Sequence, residues 1–215
     1  LEKAKLERSK TDEVIIVEGY MDVLSLYKNG IKNVISNSGT AITENQIDLI
    51  WKIFSDPIIC LDGDESGQIA AIRIAERLLY LISGDNKIYF SELPEGYDPD
   101  DFIRKNGIEN FSKLIESKEM IQDYIWNVLI QKIDKNNPYE ISKFEKKIRN
   151  LFVKIKDVTL KKYITDNLAR KFSKLTPNLN TSNFKKRNFK NTQILSQTKS
   201  LYNQKNKFSE ENFKE

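Results

Sequence analysis

The chain has 215 residues, of which 39% are hydrophobic and 31% are charged, and its formal net charge is +4. It contains one cysteine and no histidine, which excludes a structural zinc site and a histidine-based catalytic triad within this sequence. No apolar run approaches the ~18 residues of a membrane span, and the opening LEKAKLERSK lacks the apolar segment of a signal peptide.

Strand-like and helix-like segments alternate through the first half of the chain. Apolar, mostly β-branched runs predict four strands, at 14–17, 32–36, 58–61 and 88–90. Helical spacing predicts three helices, over 21–28, from a capping box at Thr43–Gln46 onward, and over 66–81. Val23, Leu24 and Tyr27 are expected to share the buried face of the first helix. This alternation predicts a central, mainly parallel sheet flanked by helices, with Cys60 as a small buried hydrophobe in the third strand.

The character of the sequence changes near Asp98 and Pro99, which are typical of a helix cap and a first helical position. From residue 108 to about 175 there is no glycine and apolar residues recur at helical spacing, which predicts an α-helical subdomain. Residues 176–215 are rich in Asn, Lys and Ser without periodicity, which predicts a disordered tail or linker. The expected divisions are therefore 1–11, 12–107, 108–175 and 176–215.

The charge is divided unevenly along the chain. Residues 12–107 carry 8 Lys and Arg against 17 Asp and Glu, whereas residues 108–215 carry 23 against 12. An acidic core with a basic remainder suits a metal-dependent enzyme that handles a polyanion. Lysine-rich helices that are merely solvated would give the same imbalance, so the charge alone leaves both interpretations open.

Three acidic clusters follow or flank these predicted elements: Glu18, the pair Asp62 and Asp64, and the pair Asp98 and Asp100. The first two clusters come directly after apolar strands, and the carboxyl ends of parallel strands form the functional edge of an open α/β sheet. Carboxylates that converge there repel one another unless a hard divalent cation neutralises them. Mg²⁺ is the natural candidate, because it takes oxygen ligands and keeps waters for substrate phosphates.

Four ordered motifs carry a family resemblance: VEGYMDVLSL, NSGTAIT, CLDGDESGQIAAIR and LPEGYDPDDFIRKNG. They resemble the Toprim domain of bacterial DnaG-type DNA primases, over residues 1 to about 175, with residues 1–11 similar to the last helix of the region that precedes Toprim. The resemblance implies an α/β Toprim fold followed by an α-helical subdomain.

The resemblance also implies roles for particular residues. Those expected to be catalytic are Glu18, Asp62 and Asp64. Those expected to bind Mg²⁺ or Mn²⁺ are the same three together with Asp98 and Asp100. Those expected to shape the motif backbone are Gly19, Gly39, Gly63 and Gly67. Asp22 and Asp101 are either outer-shell groups of the metal site or ordinary charges in the first turn of a helix.

The function that the resemblance implies is synthesis of short RNA primers on single-stranded DNA in the bacterial cytoplasm. The implied partners are the DNA template, the RNA primer and nucleoside triphosphates, with a replicative helicase bound through a C-terminal domain that this sequence lacks. The family's N-terminal zinc ribbon and basic subdomain are also not found, so we expect a monomeric primase fragment without zinc. A Toprim nuclease and a non-catalytic replication-protein fragment remain as alternatives.

Overall fold

A five-stranded sheet organises the chain, and the computed structural model describes residues 1–37 and 42–175. The strands are β1 (Glu13–Val17), β2 (Val34–Ser36), β3 (Asp56–Ile59), β4 (Tyr89–Phe90) and β5 (Glu119–Met120). Their order is β2-β1-β3-β4-β5, and every pair is parallel except β4 with β5. The prediction of a mainly parallel sheet is therefore confirmed. The antiparallel edge strand β5 was not predicted, because its two residues carry no period-2 pattern.

Helices occur both between the strands of the sheet and after its last strand. They are α1 (Glu2–Lys5), α2 (Tyr20–Lys28), α3 (Glu44–Trp51), α4 (Glu65–Leu78), α5 (Pro99–Asn106), α6 (Ile108–Glu116), α7 (Ile121–Ile130), α8 (Pro138–Phe152) and α9 (Val158–Leu175), with a 3₁₀ turn at Leu79–Leu81. None of the helices in the described ranges is long and apolar enough to cross a membrane.

Local capping fixes where two of the predicted helices begin. The Gln46 backbone N–H donates to the Thr43 hydroxyl at 3.3 Å, and the Thr43 N–H donates to the Gln46 side chain at 2.8 Å, which is the predicted capping box. Asp98 caps α5 and Pro99 is its first residue. Because such caps satisfy backbone N–H groups that have no partner inside the helix, they define the helix start from sequence alone.

One side of the sheet packs against α2, α5 and α6. The cluster includes Ile15 and Val17 of β1, Cys60 after β3, and Phe102 and Phe111. Cys60 is fully buried, as predicted, and burial, followed by the charges of nearby aspartates, raises the pKa of its thiol to about 12.

The predicted buried face of α2 was partly wrong. Leu26 is fully buried, whereas Leu24 and Tyr27 are 49% and 41% exposed. The rotation of this helix is set at its start, where the Asp22 carboxylate accepts the Gly19 N–H at 2.9 Å and is itself buried. Residues four apart share a face, so Leu26 follows Asp22 into the core.

Helices α7, α8 and α9 share an aromatic core. The Trp126 ring lies 5.0 Å from Phe144 and 4.9 Å from Phe172, both in edge-on geometry, and thereby joins α7, α8 and α9. Leu1–Phe172 form one compact unit, and Ser173–Glu215 are grouped separately. The boundary predicted between 12–107 and 108–175 stays a prediction, and the tail predicted over 176–215 lies outside the described residues.

Candidate metal centre

The register of β1 and β3 brings the first two acidic clusters to one edge of the sheet. Ile16 pairs with Ile59 on the adjacent parallel strand. Glu18 follows the end of β1 by one residue, and Asp62 follows the end of β3 by three. Both carboxylates therefore leave neighbouring strands at the carboxyl edge, where open α/β sheets place their ligands.

Gly63 locks the loop after β3 against the segment that leads to α5. Its N–H donates to the Tyr97 carbonyl at 2.8 Å. A Cβ at Gly63 would lie 2.2 Å from the Pro94 carbonyl oxygen, and a Cβ at Gly67 would lie 2.2 Å from the Asp62 carbonyl oxygen. Only glycine permits these close backbone approaches, so the predicted need for glycine at both positions has a structural basis.

The third acidic cluster lies at the start of α5. The Asp98 carboxylate accepts the Asp101 N–H at 2.6 Å, which is its capping role. Asp100 accepts a hydrogen bond from the Ser25 hydroxyl of α2, a residue that sequence reasoning did not single out. Asp101 pairs with Arg104 one turn further along the helix, so its side chain has the structural role of a first-turn charge.

Asp62 is the most perturbed carboxyl group of the cluster. Burial, followed by the neighbouring charges of Glu18, Asp22, Asp98 and Asp64 in that order, raises its pKa from 3.8 to about 7. Its Oδ1 atom is buried and has no hydrogen-bond partner among the described residues. An unpaired buried carboxylate oxygen surrounded by like charges is costly, and a cation placed against it would remove that cost.

Asp64 and Asp22 differ in how they are held. Asp64 caps α4, accepting the Gly67 N–H at 2.7 Å and the Ser66 hydroxyl at 2.8 Å, and these donors lower the pKa of this exposed group. Burial raises the pKa of Asp22, the Gly19 N–H opposes that shift, and the nearby Asp98 charge adds to it. Asp22 is thus both a helix-start group and a member of the electrostatic cluster.

The predicted metal-binding residues share an edge without forming a closed cage. Among residues 1–37 and 42–175, no group of three or more Asp, Glu or Cys side chains surrounds a common point as in a metal site. The unpartnered Oδ1 of Asp62 and the negative charges of the neighbouring carboxylates still provide the oxygen atoms and the charge that a hard divalent cation requires. The metal-binding roles of Glu18, Asp62, Asp64, Asp98 and Asp100 stay predictions, and Gly39 lies outside the described residues.

A cavity of about 300 Å³ opens beside Glu18. Its polar lining includes Glu18, Asn37, Arg73 and Arg77, and the Arg77 guanidinium donates to the Ile42 carbonyl. Sequence reasoning did not predict these two arginines, although they recur at i, i+4 on α4 and so share a face. A carboxylate and two guanidinium groups on one cavity suit a phosphate that is bound together with a cation.

The fold and the acidic edge define a Toprim-like domain, and comparison with known proteins agrees. The Toprim-like family matches residues 15–103. The DNA primase of Rickettsia typhi is 35% identical over an alignment of 189 residues, and the match covers 84% of this chain and 32% of that protein. The DNA primase of Escherichia coli K12 is 30% identical over 171 residues, 80% of this chain and 29% of that protein.

A solved structure extends the likeness to three dimensions. The DnaG primase catalytic domain bound to ssDNA superposes with a TM-score of 0.71 at 29% identity, covering 79% of this chain and 54% of that one. The predicted resemblance to bacterial DnaG-type DNA primases is therefore confirmed. The chain spans about a third of the length of the curated relatives it matches.

Proposed function

We propose that this chain carries the metal-dependent nucleotidyl-transfer site of a DNA primase, which synthesises short RNA primers on single-stranded DNA from nucleoside triphosphates. The observation that carries the proposal is the buried Oδ1 of Asp62, which has no hydrogen-bond partner among the described residues and lies near other carboxylates at the carboxyl edge of the sheet. The likeness to DNA primases and to a DnaG domain bound to ssDNA supports the choice of substrate class.

The residues expected to hold Mg²⁺ or Mn²⁺ are Glu18, Asp62 and Asp64, with Asp98 and Asp100 beside them. Such an ion supplies charge neutralisation to the phosphates and lowers the pKa of the attacking hydroxyl. The contribution of the chain is positional. Gly63 holds the loop after β3 against the start of α5, and a serine hydroxyl from α2 orients Asp100. Preorganised groups of this kind need no rearrangement during the reaction.

The two arginines of the 300 Å³ cavity have a complementary role in the proposal. Arg73 and Arg77 line the cavity together with Glu18, so their charges face the space where a triphosphate would meet the acidic edge. Phosphoryl transfer depends on positioning and charge neutralisation more than on covalent help from the protein. A Toprim nuclease would share the edge carboxylates. The match to primases across 84% of the chain, helical region included, favours the primase.

Mn²⁺ titration followed by electron paramagnetic resonance tests the proposal. The wild-type chain should bind Mn²⁺, and Asp62→Asn should weaken binding at least about tenfold, because the substitution keeps the shape and removes the charge. Asp48→Asn on α3 is the matched control, since Asp48 is an exposed carboxylate outside the acidic edge. Equal Mn²⁺ affinity of the Asp62 and Asp48 variants would refute the assignment.

A further inference from the structure

One exposed face of the helical region carries a row of lysines that begins with a tyrosine. We call it the α8 basic face, and its members are Tyr139, Lys143, Lys146, Lys147 and Asn150 on the helix and Lys154 in the turn that follows it. Positions i, i+4, i+7, i+8 and i+11 line one side of a helix, and Lys154 lines the same groove as the helical lysines. The opposite side carries Phe144, Ile148 and Phe152, which are buried. The packing of α8 therefore fixes this row toward solvent.

The acidic side chains of α8 are engaged away from this face. Glu140 accepts the Asp134 N–H at 2.7 Å and so belongs to the start of the helix. Glu145 pairs with Arg149 at 2.6 Å on another side of α8. Neither carboxylate is therefore available to neutralise the lysine row from within its own helix.

The lysines of the row are largely unpaired within the part of the chain that the structure describes. Lys147 pairs with Glu76 at 2.7 Å, while Lys143, Lys146 and Lys154 make no ion pair with any described residue. Like charges three and four residues apart repel one another and destabilise a helix. A bound polyanion would turn this repulsion into attraction.

The common groove and the exposed aromatic ring point to single-stranded nucleic acid. Lys143, Lys146, Lys147 and Lys154 line one groove, so their charges can contact successive phosphates of one strand. A shallow groove of about 360 Å³ runs between the lysine side chains. Tyr139 is 79% exposed at one end of the row, and an exposed ring beside a basic groove is how unpaired bases are stacked. An anionic membrane would instead require an apolar stripe on this face.

We propose that the α8 basic face binds the backbone of single-stranded nucleic acid, with a base stacked on Tyr139. The proposal rests on the proposed primase function for the identity of the strand, which is the single-stranded DNA template. It is independent of the metal centre, because none of its residues belongs to the acidic edge.

Fluorescence anisotropy with a labelled oligothymidylate, without metal or nucleotide, tests the backbone contacts. Lys143→Ala, Lys146→Ala and Lys154→Ala combined should reduce the slope of log affinity against log salt by about 2, since each lost phosphate contact contributes about 0.7. The matched control is the triple alanine variant of Lys28, Lys52 and Lys113. These lysines are exposed outside α8, and the control removes the same charge. It should leave the slope near the wild-type value.

Tyr139→Ala tests the stacking contact separately. It should weaken oligothymidylate binding about five- to 150-fold, which corresponds to the usual 1–3 kcal/mol per stacked base, without changing the salt slope. Equal salt slopes for the two triple variants would overturn the proposal. It would also be overturned if the triple variant of Lys143, Lys146 and Lys154 lost binding to phosphatidylserine vesicles but bound oligothymidylate as wild type does. Because no metal is present, a failed metal centre leaves these readings unaffected, so the two proposals can fail separately.

Discussion

Replacing Asp62 by Asn should stabilise the metal-free chain in a pH-dependent manner. In the unfolded chain the carboxyl ionises at its usual pKa of 3.8, whereas in the folded chain burial and neighbouring charges hold the proton until about pH 7. Because the folded pKa is raised, the free energy of unfolding falls as pH rises from about 4 to about 7. Asp22 acts in the same direction.

The magnitude follows from the same pKa values. A rise in the pKa of Asp62 from 3.8 to about 7 corresponds to a loss of about 4 kcal/mol in the free energy of unfolding, if the whole shift acts on folding. Asp62 is only partly buried, so solvent screening reduces this to about 1–2 kcal/mol. The lowered pKa values of Asp64 and Asp157 stabilise the fold above pH 3.8, and that stabilisation is lost only below it. They therefore do not obscure the window between pH 4.5 and 8.5.

Urea unfolding in the presence of a chelator measures this effect. The advantage of Asp62→Asn over wild type should be about 1 kcal/mol larger at pH 8.5 than at pH 4.5. Asp48→Asn should show no such difference between the two pH values. An Asp62→Asn advantage that does not change with pH would refute the electrostatic reasoning. Added Mn²⁺ at pH 8.5 should stabilise wild type more than Asp62→Asn, because binding to the folded state adds to its stability.

Two further pairs of substitutions test the fold by urea unfolding. Gly63→Ala should lower the free energy of unfolding by about 2 kcal/mol or more, because its Cβ would lie 2.2 Å from the Pro94 carbonyl oxygen. Gly84→Ala, with no atom within 4 Å of the added Cβ, should change it by less than about 0.5 kcal/mol. Trp126→Ala should cost about 3–5 kcal/mol by opening the aromatic core. Tyr163→Ala should cost under about 1 kcal/mol, since Tyr163 is 64% exposed. Equal losses within either pair would contradict the packing described.

The features that sequence predicted well are those fixed by neighbours along the chain. The apolar runs of β1 and β3, the Thr43 capping box and the Asp98–Pro99 helix start each depend on residues within a few positions. The strand β5 depends instead on pairing with β4, which lies about thirty residues earlier. A pairing that the local sequence does not encode cannot be predicted from periodicity.

The candidate site shows the same division. Glu18 and Asp62 each follow a predicted parallel strand, so it was predictable from the sequence that they lie at the same edge of the sheet. The hydrogen bond from Ser25 to Asp100 joins residues 75 positions apart, and no pattern in either segment signals it. The rotation of α2, which exposes Leu24, was set by the Asp22 carboxylate rather than by apolar spacing.

The central claim is that the acidic edge of the sheet is the nucleotidyl-transfer site. Primer synthesis by a chimera tests this claim most directly. Residues 13–175 would replace the matching segment of the Escherichia coli DNA primase, and circular dichroism would verify folding. The chimera and its Asp48→Asn control should make RNA primers on single-stranded DNA with Mg²⁺. Glu18→Gln should reduce the rate at least about 100-fold, because it keeps the shape of the side chain and removes the charge that would bind a divalent ion. Undiminished synthesis by a folded Glu18→Gln chimera would contradict the account.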